Sequence, residues 1–329
     1  MKRLIACCTA ASLLAAPAAA PAQVAGPAEC IVPAKPGGGF DATCKLAQAM
    51  LADAKLLKQP MKTTYLPGGI GAVAYNVMQQ QRPADAGALV AFSSGSLLNI
   101  AQGKFGRYVP GSVRWVAAIG TDYGVIAVHR KSPYDTLPQL MAALKANPNS
   151  VVFGAGGTIG SQDWMKAALL ARAAGVGHRL MRFVAFEGGG EALSALEGGH
   201  VHVLAGDAAE VGQQLAAGAP IKVLAVLSDR RLAAGAGRLA DVPTAREQGY
   251  DVRWAIVRGL YLGPKVSEAA YREWVEAFEK AMAAPGFAAR RAAAGLHPSG
   301  LTGPELQAFV ERSLGEYRAL AAEFGLPVR

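Results

Sequence analysis

The sequence predicts an α/β fold of two doubly wound lobes joined by a pair of crossing strands. Short apolar runs alternate with helical patterns along the chain, the arrangement of largely parallel sheets with helices on both faces. Most run-to-helix junctions are glycine-rich, and in such sheets they gather at the carboxyl ends of the strands, where ligands bind. The junctions form two groups, before and after about residue 120. Two lobes with facing junctions would enclose a cleft.

The elements follow in order. Lys2 and Arg3 precede an apolar run over 4–14, and Ala20-Pro-Ala22 supplies small residues for cleavage. This is the pattern of a secretory leader over 1–22, with the mature chain starting near Gln23. Leu4-Ile-Ala-Cys7 superficially matches a lipidation motif but has too little apolar chain before it. A strand from Glu29 then meets Pro36-Gly-Gly-Gly39, and a helix is expected to open at Asp41 as its N-cap and run to 57. Further strand–turn–helix units are expected at 63–66 with a helix to 81, at 89–92, at 151–153 with a helix over 161–174, at 182–186, and at 201–204 with a helix to 217. One more strand covers 221–227. Long apolar stretches over 113–128 and 251–262, broken by Gly120, Gly124 and Gly259, read as the two crossings. Helices at 268–284 and 304–324 pack outside. The first lobe is thus expected over 23–122 and 252–329, and the second over 123–251.

Removing the leader takes the formal charge from +9 to +7. The bases are scattered and aromatics few, so no nucleic-acid surface is expected. No apolar run after the leader is long enough to span a bilayer, which predicts a soluble, periplasmic product. Cys30 and Cys44 are the two cysteines left after cleavage. Export permits a disulfide between them, pinning both sides of the glycine turn; two buried free thiols are the alternative. The turn itself leaves unpaired N–H groups at a helix start, a cradle for an anion.

Pro33-Ala-Lys-Pro-Gly-Gly-Gly-Phe-Asp41 resembles the first-loop signature of the tripartite tricarboxylate transporter receptors, the Bug family of extracytoplasmic solute-binding proteins. Leu66-Pro-Gly-Gly-Ile-Gly71, Phe92-Ser-Ser-Gly95, Phe153-Gly-Ala-Gly-Gly-Thr158 and Asp241-Val-Pro-Thr244 resemble the family's later loops, in order along the chain. The resemblance implies a periplasmic binding protein architecture, a Venus flytrap whose lobes close on a carboxylate. It implies binding without turnover, no cofactor, and delivery to a membrane permease of one large and one small subunit by a monomeric receptor. It also implies contacts from Gly38, Gly39, Phe40 and Asp41, and from the hydroxyls of Ser93, Ser94 and Ser96. From the second lobe it implies Gly156, Gly157, Thr158, Ser161 and Asp207.

Two departures bear on the ligand. Ala34-Lys35 stands where many relatives carry an aromatic, and a lysine at the mouth could meet an extra carboxylate as a point charge. That version resembles the citrate-binding members, so citrate or a close relative is the expected ligand. Glu187 stands where relatives commonly carry a lysine. Other classes are weaker. Gly154, Gly156 and Gly160 faintly resemble a nicotinamide-nucleotide loop, but no acidic ribose partner follows. Ala91-Phe-Ser-Ser-Gly95 resembles a hydrolase nucleophile elbow without its first glycine, and no histidine sits in triad context. His200 and His202 would face one side of a strand, without a third metal ligand. A periplasmic ligand sensor for a signalling partner is the remaining alternative.

Overall fold

The computed structural model describes residues 26–328. The expected leader, its lipidation-like motif and the start at Gln23 lie outside the described residues. The first lobe begins with β1 (Glu29–Val32), α1 (Gly39–Asp53), β2 (Lys62–Tyr65), α2 (Ala72–Gln80), β3 (Ala88–Ser93) and α3 (Ser94–Ala101). The 16-residue β4 (Arg114–His129) crosses into the second lobe. That lobe comprises α4 (Leu137–Ala146), β5 (Val152–Gly156), α5 (Gln162–Ala173), β6 (Arg182–Phe186), α6 (Gly189–Glu197), β7 (Val203–Asp207), α7 (Ala208–Ala216) and β8 (Ile221–Val226). β9 (Ala255–Leu262) crosses back, followed by α8 (Glu268–Ala283), α9 (Phe287–Ala293), β10 (Leu301–Thr302) and α10 (Gly303–Glu323).

The strands run β2-β1-β3-β9-β4-β7-β5-β6, with β8 and β10 also on β4. β1 lies parallel to β2 and β3, and β5 parallel to β6 and β7. β4 is antiparallel to every partner. It pairs with β9 from Arg114 to Tyr123 and with β7 from Gly124 to Val128, so one strand belongs to both lobes. Each lobe buries a core on both faces of its strands. In the first these hold Leu51, Leu89, Trp274 and Phe278 on one side and Tyr75, Phe92, Trp115 and Tyr261 on the other. In the second they hold Phe153, Met165 and Leu224, and Val125, Leu193 and Leu204. Trp115 meets Phe92 and Tyr261 edge-on at 4.6 and 5.5 Å between centroids. Such pairs contribute roughly 0.5–1.5 kcal/mol each beyond area burial.

Three expectations need correction. α1 starts at Gly39 with Gly38 as its cap, so Asp41 lies inside the first turn and is not the N-cap. The same helix ends at Asp53 because the chain turns through Lys55 at φ 55°. There the Lys55 N–H donates to Ala52 O and the Leu56 N–H to Leu51 O, both at 3.0 Å, and Leu56 packs in the same core as Leu51. That double closure is a Schellman stop, which an apolar periodicity continuing through Leu57 hides. Finally, His200 and His202 precede β7 in a turn and do not form a strand face; His202 Nδ1 accepts from the Val152 N–H at 3.0 Å. Cys30 and Cys44 are bridged, with 5.6 Å between their Cα atoms, and both are fully buried.

Candidate functional site

Loops from both lobes converge on one cavity of about 70 Å³. By that measure one water needs roughly 10–15 Å³, so the space suits a compact molecule. Its walls come from strand ends, as the topology requires. The first lobe supplies Ala34 to Phe40 in part, with Ser93, Gly95 and Asn99; the second supplies Gly156, Ser161, Gln162 and Asp163, Glu187 to Glu191, Asp207 and Glu210. Arg258, from the returning crossing strand, is also part of the lining.

Arg258 is 2 % exposed and sits in an otherwise apolar strand. A charge there survives only if it is paired. Its Nη2 donates to Asp122 Oδ2 at 2.7 Å and to Asp207 Oδ2 at 2.6 Å, while its Nε–H has no partner. Asp122 stands on β4, and its Oδ1 accepts from the backbone of Tyr123 and Ala209. Asp207 ends β7, and its other oxygen takes Lys166 Nζ at 2.6 Å. Lys166, fully buried on α5, also pairs with Asp163 at 2.7 Å and donates to the Gly206 carbonyl. Asp163 in turn accepts from the Gly156 N–H at 2.9 Å. Burial alone would raise the Asp207 carboxyl, but Lys166 and Arg258 outweigh it and hold it below its ordinary value. Burial likewise opposes charge on Arg258 and Lys166, and their aspartates override it, so both stay cationic.

Backbone closeness lets the helix ends reach this network. A Cβ on Gly39 would lie 2.2–2.4 Å from the Arg258 guanidinium, so the first residue of α1 rests on its plane. A Cβ on Gly124 would lie 2.6 Å from Lys166 Cδ. The N-terminal N–H groups of α1 and α6 have no partners within their own helices, and both helix starts line the cavity. Such ends favour an anion by about 0.3–1 kcal/mol each. Gly39→Ala should therefore overpack the site, costing about 1–3 kcal/mol because the guanidinium is pinned. Calorimetry with a bound acid should show weaker affinity, and an unchanged titration would remove Gly39 from the site.

Of the residues expected from sequence, Lys35, Gly38, Gly39, Phe40, Ser93, Gly156, Ser161 and Asp207 line the cavity. Gly157 and Thr158 line a neighbouring recess with Ile70 and Lys104. Asp41 is buried on the other side of its turn, accepting from the Gly37 N–H at 2.9 Å, Lys45 at 2.8 Å and the Tyr65 hydroxyl at 3.0 Å. Burial would raise its carboxyl, and the Lys45, Gly37 and Tyr65 bonds lower it below the ordinary value. Ser94 Oγ accepts from the Val257 N–H, and Ser96 closes a capping box with Ser93. Lys35 meets a carboxylate of the chain itself, that of Glu191 across the cleft. Gln102 Nε2 to the Gly160 carbonyl at 2.7 Å and Lys104 to the Ile159 carbonyl at 2.8 Å also span the lobes. Arg258, Asp122, Lys166, Gln162 and Glu210 were not anticipated. Arg258 and Asp122 are lone charges in apolar stretches, a signal that each needs a buried partner; Lys166, with Asp163 three residues before it, Gln162 and Glu210 carry no such mark.

Residues 46–326 match the family described as the tripartite tricarboxylate transporter family receptor. Protein BugT of Bordetella pertussis is 25 % identical, with 96 % of this chain and 94 % of that protein covered. Among solved structures, the periplasmic binding protein BugD superposes with a TM-score of 0.80 at 20 % identity, covering 92 % of this chain and 99 % of its own. MatC from Rhodopseudomonas palustris, solved with bound malate, gives 0.74 at 21 % identity, covering 89 % and 98 %. No helix among the described residues is long and apolar enough to cross a membrane.

Proposed function

Because the chain belongs to the tripartite tricarboxylate transporter family of receptors, solute-binding proteins rather than enzymes, we propose that it captures a small dicarboxylate in the cleft and hands it to that transporter's large and small membrane subunits. One observation carries the reading: the buried Arg258, fixed by two aspartates through Nη2, lines the cleft cavity beneath the first turn of α1. One carboxylate of the ligand would take the Arg258 guanidinium and the N–H groups of α1. The other would meet the start of α6 and the Ser161 hydroxyl on the second lobe. A ligand held by both lobes stabilises the closed form alone, which is the form a permease can distinguish.

A dicarboxylate is favoured over citrate on two grounds. Lys35 is engaged by Glu191 rather than facing the cavity freely, and the cavity is small. Malate in the similarly folded MatC is in keeping with that size. The test is calorimetry of the mature protein against succinate, malate, adipate, citrate, aspartate and glutamate. Tight succinate or malate binding with weaker citrate is the expected result. Binding of a sugar or an inorganic cation, with no heat from any carboxylate, would overturn the reading.

A further inference from the structure

Glu210 stands in the first turn of α7 with 8 % of its surface exposed, lines the cavity, and has no hydrogen-bond partner for Oε1. Gly189 makes the room for it: a Cβ there would lie 2.4 Å from Glu210 Oε2. The charged groups acting on it come from four neighbouring elements: Asp207 of β7, Asp163 of α5, Arg258 of β9 and Asp122 of β4. The two buried cations, Lys166 and Arg258, are already shared among the three aspartates. A fourth negative charge would go uncompensated, and a carboxyl so placed keeps its proton instead. Burial first, then Asp207 and Asp163, push Glu210 up to about 8.

This arrangement answers a difficulty in the proposed function, on which the following rests. A cavity with more acids than bases is a poor place for a dianion unless one acid is neutral and can donate. We propose that Glu210 is a specificity-determining residue that stays protonated and donates its O–H to a carboxylate of the ligand, so that capture is linked to one retained proton. An O–H donor to a carboxylate makes a short, charge-assisted bond. Glutamine offers an N–H donor at the same place with no proton to lose, so Glu210→Gln should keep the affinity and lose its pH dependence.

The experiment is calorimetry between pH 5.5 and 9.5 with succinate, or with the tightest-binding acid of the panel, in buffer pairs of different ionisation enthalpy. For the wild type, affinity should fall about tenfold per pH unit above about pH 8, with proton uptake on binding there. Glu210→Gln should match the wild type at pH 6 and show no such fall. Glu210→Ala, lacking a donor, should bind about tenfold more weakly throughout; melting curves establish that each variant is folded. A wild-type affinity that is flat to pH 9.5 would overturn the proposal while leaving carboxylate capture intact. So would a wild type that prefers aspartate to succinate together with a folded Glu210→Gln that loses tenfold at pH 6 and that preference, since Glu210 would then be an anion facing an ammonium group. Absence of binding by every carboxylate overturns the functional reading itself, a separate outcome.

Discussion

Arg258→Ala is expected to abolish ligand binding and to lower stability by about 3–5 kcal/mol, the usual cost of removing one partner from a buried ion network. Asp122 would keep only backbone donors and Asp207 only Lys166 and Gln162. The lost interaction ties the returning crossing strand to the end of β7, so both the hinge and the cavity floor fail together. Arg258→Lys should recover part of the stability and little of the affinity, because a compact ammonium on a flexible stem lacks the planar fork with which the guanidinium holds its aspartates and meets a carboxylate on another edge. The pH dependence has a definite sign. Asp207 is held below its ordinary value, so its contribution is complete above the ordinary carboxylate range and is lost as pH falls through the lowered one. Arg258→Ala should accordingly move acid unfolding to higher pH. Denaturant unfolding and calorimetry check both halves. An unchanged unfolding midpoint would dismiss the network, and full affinity would dismiss the anchor.

Replacing Cys30 and Cys44 together by serine should cost about 3 kcal/mol, the loop-closure term for a 14-residue separation. The bridge joins β1 to α1 on either side of Pro36-Gly-Gly-Gly39 and leaves Gly38 and Gly39 free to aim their N–H groups, that of Gly37 being taken by Asp41. Without it the turn must be ordered on binding, and affinity falls as well. A reductant should lower the melting temperature of the wild type and leave the double-serine protein untouched. Thiol titration under denaturing, non-reducing conditions should find no reactive thiol in a chain made without residues 1–22; two would contradict the bridge.

The sequence showed the fold well because its punctuation is strong. Each glycine turn ends a short apolar run, and the two long runs at β4 and β9 had no other economical place than between lobes. Element ends were less visible. Asp41 has the composition of an N-cap, yet its carboxylate is taken by Gly37, Lys45 and Tyr65, while Gly38 caps α1 with backbone alone. The loops that line the cavity could be found because glycine is needed where backbone approaches closely. The charged floor beneath them could not be assembled, since Asp122, Lys166, Asp207 and Arg258 come from four elements and only tertiary pairing brings them together. Lys35 shows the complementary failure: a lone lysine beside an anion cradle does not reveal that Glu191 comes to it from the other lobe.

The crossing back through β9 has a consequence in time. β3 has β9 as its neighbour towards the crossing, while β1 and β2 complete that side of the sheet, and α8 and α10 cover the cores of the same lobe. A ribosome therefore delivers the first hundred or so residues long before the segment that finishes their sheet. The second lobe, between the crossings, is contiguous and can close early. The first must wait with an unpaired edge on β3, a state that invites association with other chains. Everything downstream of Trp254 thus acts as the clasp that ends this vulnerable interval, and truncation near the C-terminus should harm the yield of soluble protein far more than its distance from the cavity would suggest.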